Sequence, residues 1–261
     1  MKLEIRKLEG DEMEFVLSEA DPAFANALRR AMLREVPIMA IDEVEFVAND
    51  SVMYDEILSH TLGLLPLRTS DGYLMPDECK CKEGRCSKCS VSLTLKREGP
   101  ATVTSGDLRS SDKKVVPVSG SVPLVKLSEG QKLEFTAIAR LGLGREHSKR
   151  QPGVIAYKYM PVLEVDLKAC DGCRACIERC PRNILELSKD KVRIIDVEKC
   201  TMCRACVEAC PRDAIRVGHD DSRFIFRIES TGALPPERIL LKATEALGKK
   251  CKEFVKQVKK L

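Results

Sequence analysis

The residues in this chain best suited to chemistry are its cysteines. There are 13 in 261 residues: four within 79–89, eight within 170–210 and one alone at 251. The N-terminus, MKLEIRKLEG, lacks the apolar stretch of a secretion signal, so clustering of this kind reads as metal ligation before disulfides. The sharpest pattern is Cys170-x2-Cys173-x2-Cys176-x3-Cys180-Pro181, repeated as Cys200-x2-Cys203-x2-Cys206-x3-Cys210-Pro211. Three thiolates at three-residue intervals wrap a loop around one four-iron cube, and the fourth, past one more turn, points the other way. Two such runs back to back exchange their fourth ligands. One 4Fe–4S cluster then takes Cys170, Cys173, Cys176 and Cys210, and the second takes Cys200, Cys203, Cys206 and Cys180. The prolines turn the chain away from each cluster, and small residues, Gly172, Ala175 and Ala205, sit beside the thiolates. Zinc knuckles or disulfides are the competing reading, and two complete matches in tandem argue against it.

The second cysteine group is Cys79-x-Cys81-x4-Cys86-x2-Cys89, with Gly84 for the turn. Four soft ligands in so short a loop suit one closed, tetrahedral zinc site, with no open position for catalysis. Redox-labile thiols or disulfides without metal are the alternative. Lys80, Lys82, Arg85 and Lys88 flank the loop and would offset the charge of a tetrathiolate centre, or simply solvate it. Cys251 lies on the apolar stripe of the last predicted helix and reads as a buried structural thiol. His60, His147 and His219 stand in unrelated contexts and read as ordinary surface or core histidines. No phosphate-binding glycine loop, nucleophile elbow or paired-carboxylate motif appears, so no catalytic residue is assigned.

The positioning elements follow from periodicity. LEIRKL and 13–17 alternate as a strand pair around a turn at Gly10 and Asp11. Asp21 and Pro22 open a helix over 22–36, whose stripe is Phe24, Ala27, Leu28, Ala31, Met32 and Val36; Arg29, Arg30 and Arg34 lie off most of it, and Pro37 ends it. Segments 43–48, 91–97 and 132–139 read as strands, 54–65 as a short helix ending near Gly63, and 145–153 as a polar loop. Residues 174–185 match 204–215 at an offset of 30, which is one supersecondary unit made twice. A strand at 224–228 then leads to a helix over 236–260 with Ile239, Leu240, Ala243, Leu247, Cys251, Phe254 and Val258 on one face. A net charge of +4, no tryptophan and 4% aromatics disfavour a nucleic-acid surface. With no apolar run long enough for a membrane span, a cytoplasmic chain is the expectation.

The paired cysteine runs are of the bacterial ferredoxin type. Alone they would suggest an electron-transfer subunit of an oxidoreductase. The rest of the chain points elsewhere. Residues Asn26 to Asp42 (NALRRAMLREVPIMAID) resemble the signature of the alpha-type subunits of multisubunit RNA polymerases. Asp55 to Leu67 (DEILSHTLGLLPL) resembles that family's second motif, and Phe226 to Glu237 (FRIESTGALPPE) its closing strand and helix. The ferredoxin-like insert makes the chain similar to the archaeal D-type members, and the four-cysteine loop is similar to the zinc loop of the related eukaryotic third subunit. The resemblance implies an α+β protein. Residues 1–42 and 220–261 would form a discontinuous dimerisation domain, 43–160 a strand-rich second domain and 161–219 a ferredoxin-like domain. It further implies a non-catalytic scaffold role in transcription. The partner would be the smaller subunit L, met as a heterodimer through Phe24, Leu28, Ala31, Met32, Leu247 and Phe254. Subunits N and P and the two large catalytic subunits would complete the platform. Arg29, Arg30 and Arg34 form a candidate contact with a large subunit or an ordinary solvated face. No sequence-specific DNA contact and no membrane association are expected.

Overall fold

The computed structural model describes residues 1–81 and 85–260. Gly84 and Lys82, assigned to the turn and charge balance of the cysteine loop, therefore lie outside the described residues. The chain forms two compact units. One comprises Met1–Arg6, Phe15–Ala25 and Tyr157–Phe226; the other comprises Lys7–Glu14, Asn26–Ala156 and Arg227–Leu261.

The first unit holds the larger part of a sheet in the order β1-β2-β12-β9, from strands β1 (Lys2–Glu9), β2 (Glu12–Ser18), β9 (Gly153–Val165) and β12 (Ile215–Ser230). Alternation puts Phe15, Phe224 and Phe226 on one face. Phe15 and Phe226 stack with ring centroids 4.9 Å apart, and Tyr157 approaches Phe226 at 5.1 Å. Val16, Met160 and Ile225 pack together as a separate cluster. Helix α1 (Pro22–Arg34) begins where Asp21 accepts the Phe24 N–H at 2.7 Å, satisfying a donor with no partner inside the helix.

Between β9 and β12 lies the repeat block. Its core is Ile184, Leu185, Val192, Ala214 and Ile215 with four buried cysteines, and Leu163 and Val165 of β9 pack against it. Helices α3 (Ala175–Arg179) and α4 (Ala205–Glu208) follow the two cysteine loops. Between them, β10 (Leu185–Ser188) and β11 (Lys191–Ile194) form an antiparallel hairpin. Its turn, Lys189 and Asp190, has φ of 47° and 57°, the left-handed geometry that matches strand twist in a two-residue loop. Positions 161 and 219, the ends of the block in the sequence, both fall inside long strands, so block and sheet are covalently one piece at each end.

The second unit holds the antiparallel sheet β3-β8-β4-β6 and the ribbon β5-β7. These are β3 (Pro37–Asn49), β4 (Ser90–Glu98), β5 (Ala101–Thr104), β6 (Arg109–Ser110), β7 (Pro123–Leu127) and β8 (Lys132–Leu143). Helix α2 (Asp55–Gly63) buries Leu58 and Leu62 in the same core as Leu93, Leu133 and Phe135. The β3–β8 register skips one residue between Ile41 and Glu43, a bulge that places Asp42 outside the ladder. Its carboxylate meets Arg150 at 2.8 Å, Lys149 at 3.2 Å and Arg140 at 3.5 Å. The predicted polar loop contains a short 3-10 turn, Ser148–Arg150, that supplies two of these cations.

Helix α5 (Pro236–Val258) buries Ile239 and Ala243 in its first half, and Arg238 and Lys242 pair with Asp71 at 2.5 and 3.0 Å. Beyond Leu247 none of the described residues covers its apolar stripe: Phe254 is 67% exposed, and Val255 and Val258 are half-exposed. Cys251 is exposed too, which corrects its reading as a buried thiol. The periodicity placed it on the right stripe, but that stripe outlasts the chain's own core.

Candidate metal centres

The loop 79–89 is anchored at both ends. A 3-10 turn, Pro76–Glu78, leads into Cys79, and Cys89 is fully buried where the chain enters β4. The Cys89 and Ser90 N–H groups both donate to the Cys86 carbonyl at 3.0 Å, folding the last two ligands toward each other. The sulfur separations are 3.3 Å (Cys79–Cys81), 3.5 Å (Cys79–Cys86), 3.5 Å (Cys81–Cys89) and 3.6 Å (Cys86–Cys89). All four donor atoms lie within 4.8 Å of one another. A tetrahedron with metal–sulfur bonds of ~2.3 Å has edges of ~3.8 Å, so the quartet is sized for a single ion. Hydrogen bonds from Cys79, Cys89 and Cys86 draw the Cys81 thiol down to about 6, while burial pushes Cys89 up to about 12. Arg85 binds Glu43 at 2.5 Å and Glu45 at 2.6 Å on β3. It fastens the loop to the sheet.

The other eight cysteines form two quartets, each around its own cavity. Cys170, Cys173, Cys176 and Cys210 line one, and Cys180, Cys200, Cys203 and Cys206 line the other. In each set the cysteine from the other repeat is the residue before a proline. The loops reach this shape through left-handed residues at matched places: Gly172 and Met202, Arg174 and Arg204, Asn183 and Asp213. A β-carbon on Gly172 would lie 2.7 Å from the Asp190 carbonyl oxygen, so only glycine fits there. The first cysteine of each run has its carbonyl held by a lysine from a strand. Lys191 binds the Cys170 oxygen, and Lys158 of β9 binds that of Cys200 at 3.0 Å and that of Glu198. The Met202 N–H points at the Cys200 sulfur and the Ala214 N–H at the Cys210 sulfur, both at 3.3 Å. Packing among other thiols in an apolar setting raises Cys176 and Cys206, burial being the larger cause. Sulfur donors disposed about a cavity suit a cluster, and sulfur donors converging on a point suit an ion. The chain thus holds cysteine groups of both kinds.

The family described as the RNA polymerase Rpb3/Rpb11 dimerisation domain matches residues 14–251, from β2 into α5. The chain is also similar along its length to curated archaeal proteins named DNA-directed RNA polymerase subunit Rpo3. The one from Methanothermobacter thermautotrophicus is 45% identical over 98% of both chains. The one from Archaeoglobus fulgidus is 44% identical over 100% of this chain and 98% of its own. The chain belongs to the archaeal Rpo3 family of RNA polymerase subunits. A third member, from Thermococcus kodakarensis, is 38% identical over 96% of this chain. The Rpo3 family is α+β and non-catalytic, in keeping with the fold described above, and an electron-transfer subunit of an oxidoreductase finds no support. Among the described residues no helix is long and apolar enough to cross a membrane.

The residues expected at an interface fall into two classes. Leu28, Ala31 and Met32 are buried by this chain itself, at 3%, 3% and 0% exposure. Phe24 and Leu247 are half-buried and Phe254 is exposed. Arg30 and Arg34 are exposed, whereas Arg29 donates to Asn26 of its own helix at 3.1 Å. The two carbonyl-holding lysines, the Arg85 anchor and the cations around Asp42 had no signal in the sequence, because each partner lies far along the chain.

Proposed function

We propose that the chain is a non-catalytic assembly subunit of archaeal DNA-directed RNA polymerase that pairs with the smaller subunit L and, with subunits N and P, forms the platform for the large catalytic subunits. The full-length similarity supports the complex. The observation that carries the pairing is the second half of α5, where Phe254, Val255 and Val258 present an apolar stripe between lysines with none of the described residues over it. An amphipathic helix keeps such a stripe when another helix covers it. In this reading Phe24, Leu247 and Phe254 touch the partner directly, while Leu28, Ala31 and Met32 hold α1 in place behind them. Arg30 and Arg34 remain the candidate contact with a large subunit. Residues 1–42 and 220–261 serve as the dimerisation domain, 43–160 as the second domain and 161–219 as the cluster-bearing domain. The test is coexpression with subunit L of the paired substitutions Phe254→Asp and Val258→Asp. Both side chains are exposed, so the chain stays folded and soluble, and heterodimer is lost. Unchanged heterodimer yield sinks the assignment.

The eight paired cysteines hold two 4Fe–4S clusters with crossed fourth ligands, and Cys79, Cys81, Cys86 and Cys89 hold one zinc ion. Supporting the clusters are the two cavities, each lined by three cysteines of one repeat and one of the other. Supporting zinc is the tetrahedral size of the third quartet, whose four sulfurs lie within 4.8 Å of one another. The zinc site is structural and the iron–sulfur domain structural or regulatory: metal–thiolate bonds fix the cysteine loops of each.

A further inference from the structure

Among the residues lining the two cavities the arginines match, and one charged difference stands out. At each site the first and third cysteines of the run are buried, the second is exposed and the crossed ligand is half-buried, so solvent access is alike. Arg174 and Arg204 occupy matched positions, and so do Arg212 and Arg182, which line the first and second cavity. A lysine holds a carbonyl at both. The residue after the first cysteine differs: Asp171 in the first repeat, Thr201 in the second.

Asp171 does two things at its site. Its carboxylate binds the Arg212 Nε at 3.2 Å and so neutralises that cation beside the cavity. It also accepts the Cys173 N–H at 3.2 Å, keeping that amide from the sulfurs. At the second site Thr201 carries no charge, and Arg182 has no acidic partner among the described residues. Positive charge and N–H donors near the sulfurs stabilise the more negative, reduced form of a cluster, and exposure, the other main lever, is matched here.

We propose that Asp171 sets the two clusters apart in reduction potential, so that a single electron lodges on the cluster of Cys200, Cys203, Cys206 and Cys180, leaving that of Cys170, Cys173, Cys176 and Cys210 oxidised. The inference rests on the iron–sulfur reading above. Asp171 acts here as a tuning residue and not as a ligand. The redox step is a one-electron transfer from a low-potential donor, dithionite in the assay. Two ferric and two ferrous irons become one ferric and three ferrous, with no bond broken and no proton taken up. The reduced site is the one whose loop Lys158 ties to β9, so the electron arrives next to the sheet.

The test is an anaerobic redox titration of the full reconstituted chain, followed by the electron paramagnetic resonance of the reduced clusters. Two midpoints are expected. Cys180→Ser, which removes the second cluster, leaves only the lower one. Asp171→Thr raises the lower midpoint and leaves the upper in place; Asp171→Asn, which keeps the acceptor but not the charge, raises it less; Asp171→Glu restores it. Thr201→Asp lowers the upper midpoint. A purely structural Asp171 would instead change iron content in these variants with no selective shift. Coincident midpoints in the unmodified chain, or an Asp171→Thr variant with both midpoints unmoved, overturn the proposal while leaving the clusters intact. Iron well short of about eight per chain overturns the cluster reading itself and the proposal with it.

Discussion

Replacing Asp42 by Asn tests how much of the second unit hangs on one bulge. The bulge turns the carboxylate out of the β3–β8 ladder to face Arg150, Lys149 and Arg140. Each contact near 3 Å is worth about 5 kcal/mol before solvation at an effective dielectric of about 20. Desolvation and the competing acids Glu43 and Glu146 offset most of that. Removing one partner of a buried pair costs about 3–5 kcal/mol. The Arg150 side chain is 10% exposed and that of Asp42 is 32%, so ~2–3 kcal/mol is the discounted expectation. In a unit of this size that lowers Tm by about 5–10 °C. The pH dependence follows from the titration of the same group. Burial pushes this carboxyl up, but Arg150, Lys149 and Arg140 together hold it below its ordinary 3.8. A carboxyl depressed in the folded state contributes its stability above the unfolded value, and that contribution fades as pH falls through the folded one. Thermal unfolding followed by circular dichroism should therefore show a wide gap between the unmodified chain and Asp42→Asn at pH 7, narrowing below about pH 4. A change under about 1 °C at pH 7, or a gap that persists undiminished at pH 3, would refute the account.

Further outcomes follow from the metal quartets. Cys180→Ser should abolish the cluster held by Cys200, Cys203 and Cys206 and spare the one nearest to it in sequence; spectroscopy showing the reverse loss would contradict crossed ligation. The full chain, purified with thiols reduced, should carry one zinc per molecule in addition to iron. Cys86→Ser should release that zinc with no change in iron, and elemental analysis showing no stoichiometric zinc would remove the assignment. Arg85→Ala should speed zinc loss to a competing chelator by a few-fold, since the two ion pairs it removes join exposed charges and each holds the loop only weakly; an unchanged release rate would make Arg85 a bystander.

Elements whose driving force is local were legible in the chain. Asp21 and Pro22 opened α1 where the capping rule put it, and the alternation of 91–97 and 132–139 became β4 and β8. Longer strands were clipped. Residues 153–165 carry no clean alternation, because Tyr157, Lys158 and Tyr159 serve neighbours on both faces, and β9 surfaced only in the structure. The β10–β11 hairpin was missed as well, since its turn is Lys189-Asp190 and the left-handed geometry falls on residues that do not advertise it. Cys251 shows a different gap. Periodicity identifies a face, but whether that face is covered depends on where the chain's own core ends.

The metal sites divide along the same line. The grouping of the eight cysteines around two cavities, each joined by one cysteine of the other repeat, could be read directly, because reach along a short loop is a local constraint and the eight positions repeat. The cations around Asp42, the lysines on the Cys170 and Cys200 carbonyls and the salt bridge from Asp171 to Arg212 depend on residues up to 108 positions apart. Spacing along the chain fixes which atoms can share a metal; only packing decides which charges stand beside it, because a charge acts through space over distances that the sequence does not encode.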